Sequence, residues 1–155
     1  MTEAETSAIS RMRCREIMTK NVRTATSDMS LRDVAALMRD GDMGAVPVVD
    51  DGKLVGIVTD RDIVIRVVAE SNDTATPISD AMTTELFTVT PDDFVFEAIR
   101  LMGDKQIRRV PVIGNDGALV GIIAIADVAL ETEDEREIAE TMEEISSGSS
   151  FWSKS

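Results

Sequence analysis

The sequence has no histidine and no tyrosine, and only one cysteine and one tryptophan among its 155 residues. Without imidazole the chain lacks the commonest general base and the commonest metal ligand, so hydrolytic triads and zinc chemistry lose their usual residues. Cys14, alone, can build neither an intramolecular disulfide nor a multi-cysteine metal site, and the role expected for it is a spare buried thiol. No apolar run approaches the ~18 residues of a membrane span, and the N-terminus lacks the charged-then-apolar order of a signal peptide. A cytoplasmic protein without a membrane partner is therefore expected. Positive charge is scarce as well: 16 basic against 29 acidic side chains give a net charge of −13. A nucleic-acid binder needs a basic footprint, which this composition does not supply. The acidic excess is concentrated in residues 131–155, which hold eight acidic and two basic side chains.

What is present is a duplication. The chain matches itself at a spacing of 64 residues, rising to 65 after one turn insertion, and internal repeats of this kind define an architecture before any local detail does. Ile17-Met18-Thr19 answers to Ala81-Met82-Thr83, and Val46-Pro47-Val48-Val49 to Val110-Pro111-Val112-Ile113. Asp51-Gly52-Lys53-Leu54-Val55-Gly56-Ile57-Val58 answers to Asp116-Gly117-Ala118-Leu119-Val120-Gly121-Ile122-Ile123, and Asp62 to Asp127. With 43% hydrophobic residues, this length can bury a core as one two-lobed domain or two small ones.

Each repeat reads as strand, helix, strand, strand, helix, which predicts an α+β fold of two β-α-β-β-α repeats. In the first, a strand is expected at 22–26, then a helix in which Ser30 and Asp33 form a capping box, Leu31, Val34, Ala35 and Met38 share a face, and Gly41 gives the stop. Val46–Val49 and Leu54–Val58 flank the hairpin signal Asp50-Asp51-Gly52, and a helix over 60–70 closes the unit. The second repeat follows suit, with strands at 86–89, 109–113 and 119–125 and helices around 95–102 and 126–130. Residues 1–9 are expected to be disordered. Repeat 1 spans 10–70 and opens on a short helix within Ile9–Met18, residues 71–77 form a linker, and repeat 2 spans 78–130. Residues 131–155 complete the chain with an acidic amphipathic helix built on Ile138, Met142 and Ile145 and a Ser-rich flexible tail carrying Phe151 and Trp152.

The chemistry concentrates in Gly56-Ile57-Val58-Thr59-Asp60-Arg61-Asp62, a strand running into a helix. Free N–H groups and the dipole at a helix start welcome an anion, Thr59 adds a hydroxyl, and Asp62 can accept from ribose hydroxyls. The same spacing also describes a capping box that does nothing but satisfy the helix end.

Together these motifs resemble paired cystathionine-β-synthase (CBS) domains, the Bateman module, over roughly residues 10–130. The resemblance rests on the Met-Thr opening of each repeat, the Val-Pro-Val strand, the Gly-hydrophobic-hydrophobic-Thr-x-x-Asp stretch and the two-copy arrangement. It implies two repeats packed as a pseudo-twofold pair, with adenine-nucleotide clefts drawing Thr and Asp from one repeat and basic residues from the other. Carried over, one cleft would use Thr59, Asp62 and Ile57 with Arg108, Arg109, Leu86 and Phe87. The second, weaker cleft would keep Asp127 but has Ala124 in place of the threonine and Gly44 and Ala45 in place of basic residues. The resemblance further implies a regulatory ligand such as AMP or ATP, no cofactor, a homodimer covering Val64, Val67 and Val68, and a separate protein partner. Two other classes stand beside this one. The first is a structural dimerisation or interaction module with degenerate clefts. The second is an enzyme with Asp62 as general base, for which the sequence offers no nearby partner acid.

Overall fold

The computed structural model describes residues 11–131 and 143–145. Expectations for residues 1–9, for most of the acidic helix and for the tail with Phe151 and Trp152 lie outside the described residues. The elements are α1 (Cys14–Ile17), α2 (Leu31–Gly41), β1 (Ala45–Asp50), β2 (Lys53–Thr59), α3 (Asp60–Ile63) continued by a π-helical turn (Val64–Val68), a 3₁₀ turn (Ile78–Asp80), α4 (Val95–Lys105), β3 (Arg109–Ile113), β4 (Leu119–Ala124) and α5 (Ile125–Glu131). They form an α+β fold divided into two compact units that cut across the sequence repeats. One holds Asn21–Leu86 with Asp116–Leu119; the other holds, among the described residues, Phe87–Asn115 with residues 11–20, 120–131 and 143–145.

In the β1/β2 unit, Ser30 Oγ accepts the Asp33 amide at 3.2 Å and starts α2. Leu31, Val34 and Met38 point into the core. Ala35, expected on that face, is exposed, because one step beyond Val34 turns the side chain by about 100°. Gly41 is the last helical residue, and Asp42 takes the left-handed cap at φ 48°. β1 and β2 pair antiparallel from Ala45↔Thr59 to Asp50↔Lys53. Asp51 and Gly52 join them with φ of 51° and 77°, the positive pair that matches strand twist in a two-residue hairpin.

The strand expected at 22–26 shrinks to one parallel bridge, Ala25↔Val48. Ala25 donates to the Pro47 carbonyl at 3.0 Å and accepts from Val49 N–H at 2.8 Å. In a parallel ladder the next bond back would come from the amide of residue 47, and proline has none. Segment 86–89 is cut short for the same reason: Val89 bridges Val112, donating to the Pro111 carbonyl at 3.1 Å and accepting from Ile113 at 2.9 Å. Ser27 clips the incoming chain to the hairpin, its Oγ donating to Asp50 Oδ2 at 2.5 Å and its N–H to Oδ1 at 2.9 Å. These bonds, the hydroxyl's first, hold the Asp50 carboxyl below its ordinary range.

The opposite sheet edge is covered by the lead-in of the other repeat. Ile57 and Thr83 exchange bonds of 3.0 and 2.8 Å, and Ile122 and Thr19 exchange bonds of 3.1 and 2.8 Å. This crossing explains two motifs at once. A Cβ on Gly56 would lie 2.7 Å from Met82 Sδ and 3.1 Å from the Thr83 carbonyl, and one on Gly121 would lie 2.7 Å from Met18 Sδ and 2.9 Å from the Thr19 carbonyl. Glycine in β2 and β4 is the notch into which each Met-Thr pair fits.

The helix expected over 60–70 is a single α-helical turn followed by the π-helical turn, in which Ala69 N–H reaches back to Val64 O at 2.8 Å. Ile63 and Val67, four apart, face inward, and Val67 is 1% exposed. Val64, Ile65 and Val68 form the outward row at 57%, 47% and 62% exposure, so of the apolar trio only Val67 belongs to the core. The core of this unit is Ala25, Leu31, Val34, Met38, Val46, Val48, Val58, Val67, Ile78 and Ala81. Each fully buried aliphatic side chain there contributes on the order of 1.5–3 kcal/mol.

The β3/β4 unit repeats the plan. Val95, Ala98, Ile99 and Met102 form the buried face of α4, packing with Val110, Val112, Ile123 and Val128. The strand expected to reach residue 125 stops at Ala124, because Ile125 already begins α5. The N-terminal helix expected within 9–18 is interrupted. Arg13 leaves it to bridge Phe94, and α1 resumes at Cys14. Arg13 lies 3.9 Å from the Phe94 ring centroid, and Arg15 pairs with Asp92. Cys14 is completely buried in this core. At the other end, Ile145 packs on the same core.

Candidate functional site

Thr59 ends β2 opposite Ala45 and caps α3. Its Oγ1 accepts the Asp62 amide at 3.1 Å, and Asp62 Oδ2 accepts the Thr59 amide at 2.9 Å, so the capping box is formed in both directions. The Asp60 amide donates to the Gly44 carbonyl at 3.0 Å and the Arg61 amide to Asp60 Oδ1 at 2.8 Å. All four N–H groups from Thr59 to Asp62 thus have partners within the unit. The sequence reading of a helix start with free donors for an anion does not hold here, because side chains and a neighbouring carbonyl have taken those donors.

What the pair still offers is side-chain capacity. A hydroxyl that accepts one bond keeps its proton to donate, and a carboxylate has about four acceptor positions, of which the cap uses one. Asp62 Oδ1 lies 3.9 Å from Arg66 Nε, and Arg66 Nη1 donates at 3.1 Å to both the Ala81 and Met82 carbonyls. Arg66 therefore ties the Asp62 helix to the crossing Met-Thr segment and holds positive charge beside the carboxylate. The sequence reading missed it, although Asp62 and Arg66 stand at the i, i+4 spacing that marks such pairs. Ile57, in the middle of β2, is half-buried, as is Leu86 at the end of the same unit.

The remaining candidates sit in the β3/β4 unit. Arg108 precedes β3 and Arg109 begins it, and both are exposed. The Arg108 carbonyl accepts the Ile125 amide at 2.9 Å, the counterpart of the Gly44–Asp60 bond. Asp127 Oδ2 accepts the Ala124 amide at 3.2 Å, the counterpart of Asp62 and Thr59 with the hydroxyl deleted. Phe87 is half-buried, and Lys105 Nζ stands 4.9 Å from its ring centroid. No local spacing pairs Lys105 with Phe87, so only the folded chain shows the contact. The structure thus gathers Thr59, Asp62, Ile57 and Leu86 in one unit and Arg108, Arg109, Phe87 and Asp127 in the other.

Comparison with known proteins agrees with this internal doubling. The family model of the CBS domain matches residues 14–69 and again residues 78–134. The CBS domain-containing protein YhcV of Bacillus subtilis is 40% identical over 116 residues, 75% of this chain and 82% of its own length. The CBS domain pair of protein MJ0100, solved in complex with 5′-methylthioadenosine and S-adenosyl-L-methionine, aligns with a TM-score of 0.70 at 29% identity, covering 77% of this chain and 94% of its own. CBSX2, solved in complex with AMP, aligns with a TM-score of 0.69 at 25% identity, covering 77% and 95%. With two matched stretches that together span well over half its length, the chain belongs to the CBS domain family and carries a tandem pair, a Bateman module.

Proposed function

We propose that this chain is a regulatory module, not an enzyme, that binds an adenine nucleotide or related adenosyl ligand, with AMP or ATP foremost, and modulates a separate protein partner. The observation that carries this reading is the Thr59–Asp62 pair, whose capping bonds leave a hydroxyl proton and carboxylate lone pairs for a ribose or phosphate. AMP in CBSX2 and the adenosyl ligands in MJ0100 support the ligand class. Ile57, Leu86 and Phe87 are assigned to the base and Asp62 to the ribose. Because the first-turn amides are already bonded, phosphate recognition falls to the Thr59 hydroxyl and to Arg108 and Arg109, whose planar forks suit phosphate oxygens. Asp127, with Ala124 in place of the threonine and with Gly44 and Ala45 at the repeat positions where Arg108 and Arg109 stand in the other copy, is assigned to a second, weaker site.

A homodimer belongs to the same proposal. Val64, Ile65 and Val68 form an exposed apolar row of a kind that soluble chains cover with a partner surface. Sedimentation at tens of micromolar should show twice the 16.8 kDa chain mass, and a monomer would refute the dimer. A purely structural role draws support from Ala124, which has lost the hydroxyl of its counterpart Thr59. Calorimetric titration with AMP, ATP and S-adenosylmethionine separates the readings: the regulatory module binds at least one of them at one site per chain, and a structural module binds none.

A further inference from the structure

We infer that Met18 and Met82 form a paired oxidation site, at which a peroxide converts each thioether to a sulfoxide and loosens the sheet edge that the side chain covers. The sequence has nine methionines. Met38 and Met102 are buried in the cores and shielded. Among the methionines of the described residues, Met18 and Met82 differ in where the sulfur rests. Each lies against a buried strand glycine, with Sδ 2.7 Å from the point a Cβ would occupy, and each is half-buried and so open to a small oxidant. Beside each sulfur runs the carbonyl of the next residue, Thr19 or Thr83, 2.9 and 3.1 Å from the same point. Those threonines make the paired edge bonds to Ile122 and Ile57. The notch cannot widen without drawing that backbone away from the strand. Met43 also crowds a glycine, Gly41, but there only side-chain ends are involved and they can swing aside.

The same geometry at two places related by the internal repeat indicates a built feature. Oxidation breaks the O–O bond of the peroxide and forms an S=O bond. The sulfur loses two electrons and the second oxygen leaves as water. The product is larger and polar where there was a flexible apolar side chain. In the notch the added oxygen meets strand backbone on one side and core on the other, with Met18 packing against one core cluster and Met82 against the second. Both lead-ins would then lift from their sheets. Because sulfoxides are reduced enzymatically, the change is reversible.

The experiment treats the full chain with hydrogen peroxide, maps sulfoxides by peptide mass spectrometry and follows the melting temperature. The inference predicts sulfoxide at residues 18 and 82, a Tm lowered by about 5 °C or more, and recovery with methionine sulfoxide reductases. The double variant M18L/M82L, a swap of similar volume, should melt like the parent and keep its Tm after the same treatment. A variant that loses as much Tm as the parent on oxidation, or a parent that stays unoxidised at both positions, overturns the inference. Should the variant fold poorly, the reductase series on the parent decides alone. Tm returning in step with sulfoxide loss at 18 and 82 supports the site, and Tm tracking other methionines, or not returning, overturns it.

Discussion

Cys14 shows how much one residue reports about its surroundings. Its thiol is completely buried, donates to the Phe94 carbonyl at 3.7 Å, and is pushed from 9.0 up to about 12 by burial first, then by the nearby Asp93 and Glu97 charges. The folded state favours the protonated thiol, whereas the unfolded chain ionises near 9. The contribution of Cys14 to stability is therefore intact below about pH 9 and is lost as the pH rises through about 12. Denaturation midpoints measured from pH 7 to 11 should fall above 9, and maleimide labelling of the native protein at pH 8 should be slow until the chain unfolds. A thiol that labels at the rate of a free cysteine would contradict this burial. At this scale the sequence was informative wherever partners are close in the chain. Thr59 and Asp62 announce their cap by spacing, and Arg66 stands in helical register with Asp62. Lys105 and Phe87, 18 positions apart, carry no such mark. The amides at the helix start are not free because the local side chains of Thr59, Asp60 and Asp62 take three of them, and Gly44, distant in sequence, supplies a carbonyl for the Asp60 amide.

At the level of elements, the hairpins and the long helices were legible because their signals are local: positive-φ turn residues, alternating or 3.6-residue apolar spacing, and caps. The outer strands were not, because a strand's length depends on its neighbour, and here the neighbour has no amide to donate at Pro47 or Pro111. The glycines of β2 and β4 read as part of a strand and gave no hint that another segment lies over them. Their role is open to a direct test. Gly56→Ala removes backbone freedom from the unfolded chain, which by itself stabilises by about 0.4–1 kcal/mol, but places a methyl against Met82 and the Thr83 carbonyl, where overpacking costs about 1–3 kcal/mol. The net effect should be a loss of about 1–2 kcal/mol in chemical denaturation, with faster amide exchange at Ile57 and Thr83. A variant more stable than the parent would show that the notch has room.

For the whole molecule, the duplication was the most secure inference from sequence, since register held over most of two repeats, and the family model places its two matches on those stretches. The crossing of the lead-ins was hidden, because a sequence repeat states which segments are alike and not which of them pack together. The central functional claim is that the two halves of the duplication have diverged, with one nucleotide site kept on Thr59 and Asp62 and its counterpart on Ala124 and Asp127 weakened. The measurement that tests it most directly is a calorimetric titration of AMP into the parent chain and into Asp62→Ala and Asp127→Ala, each first shown to fold by its melting curve. The parent should bind one AMP per chain. Losing Asp62 removes two hydrogen bonds to a charged acceptor, each worth about 1.5–3 kcal/mol, so affinity should fall about 100-fold or more, whereas Asp127→Ala should change it by less than about twofold. Two equal sites per chain, or binding lost through Asp127 and kept without Asp62, would contradict the account.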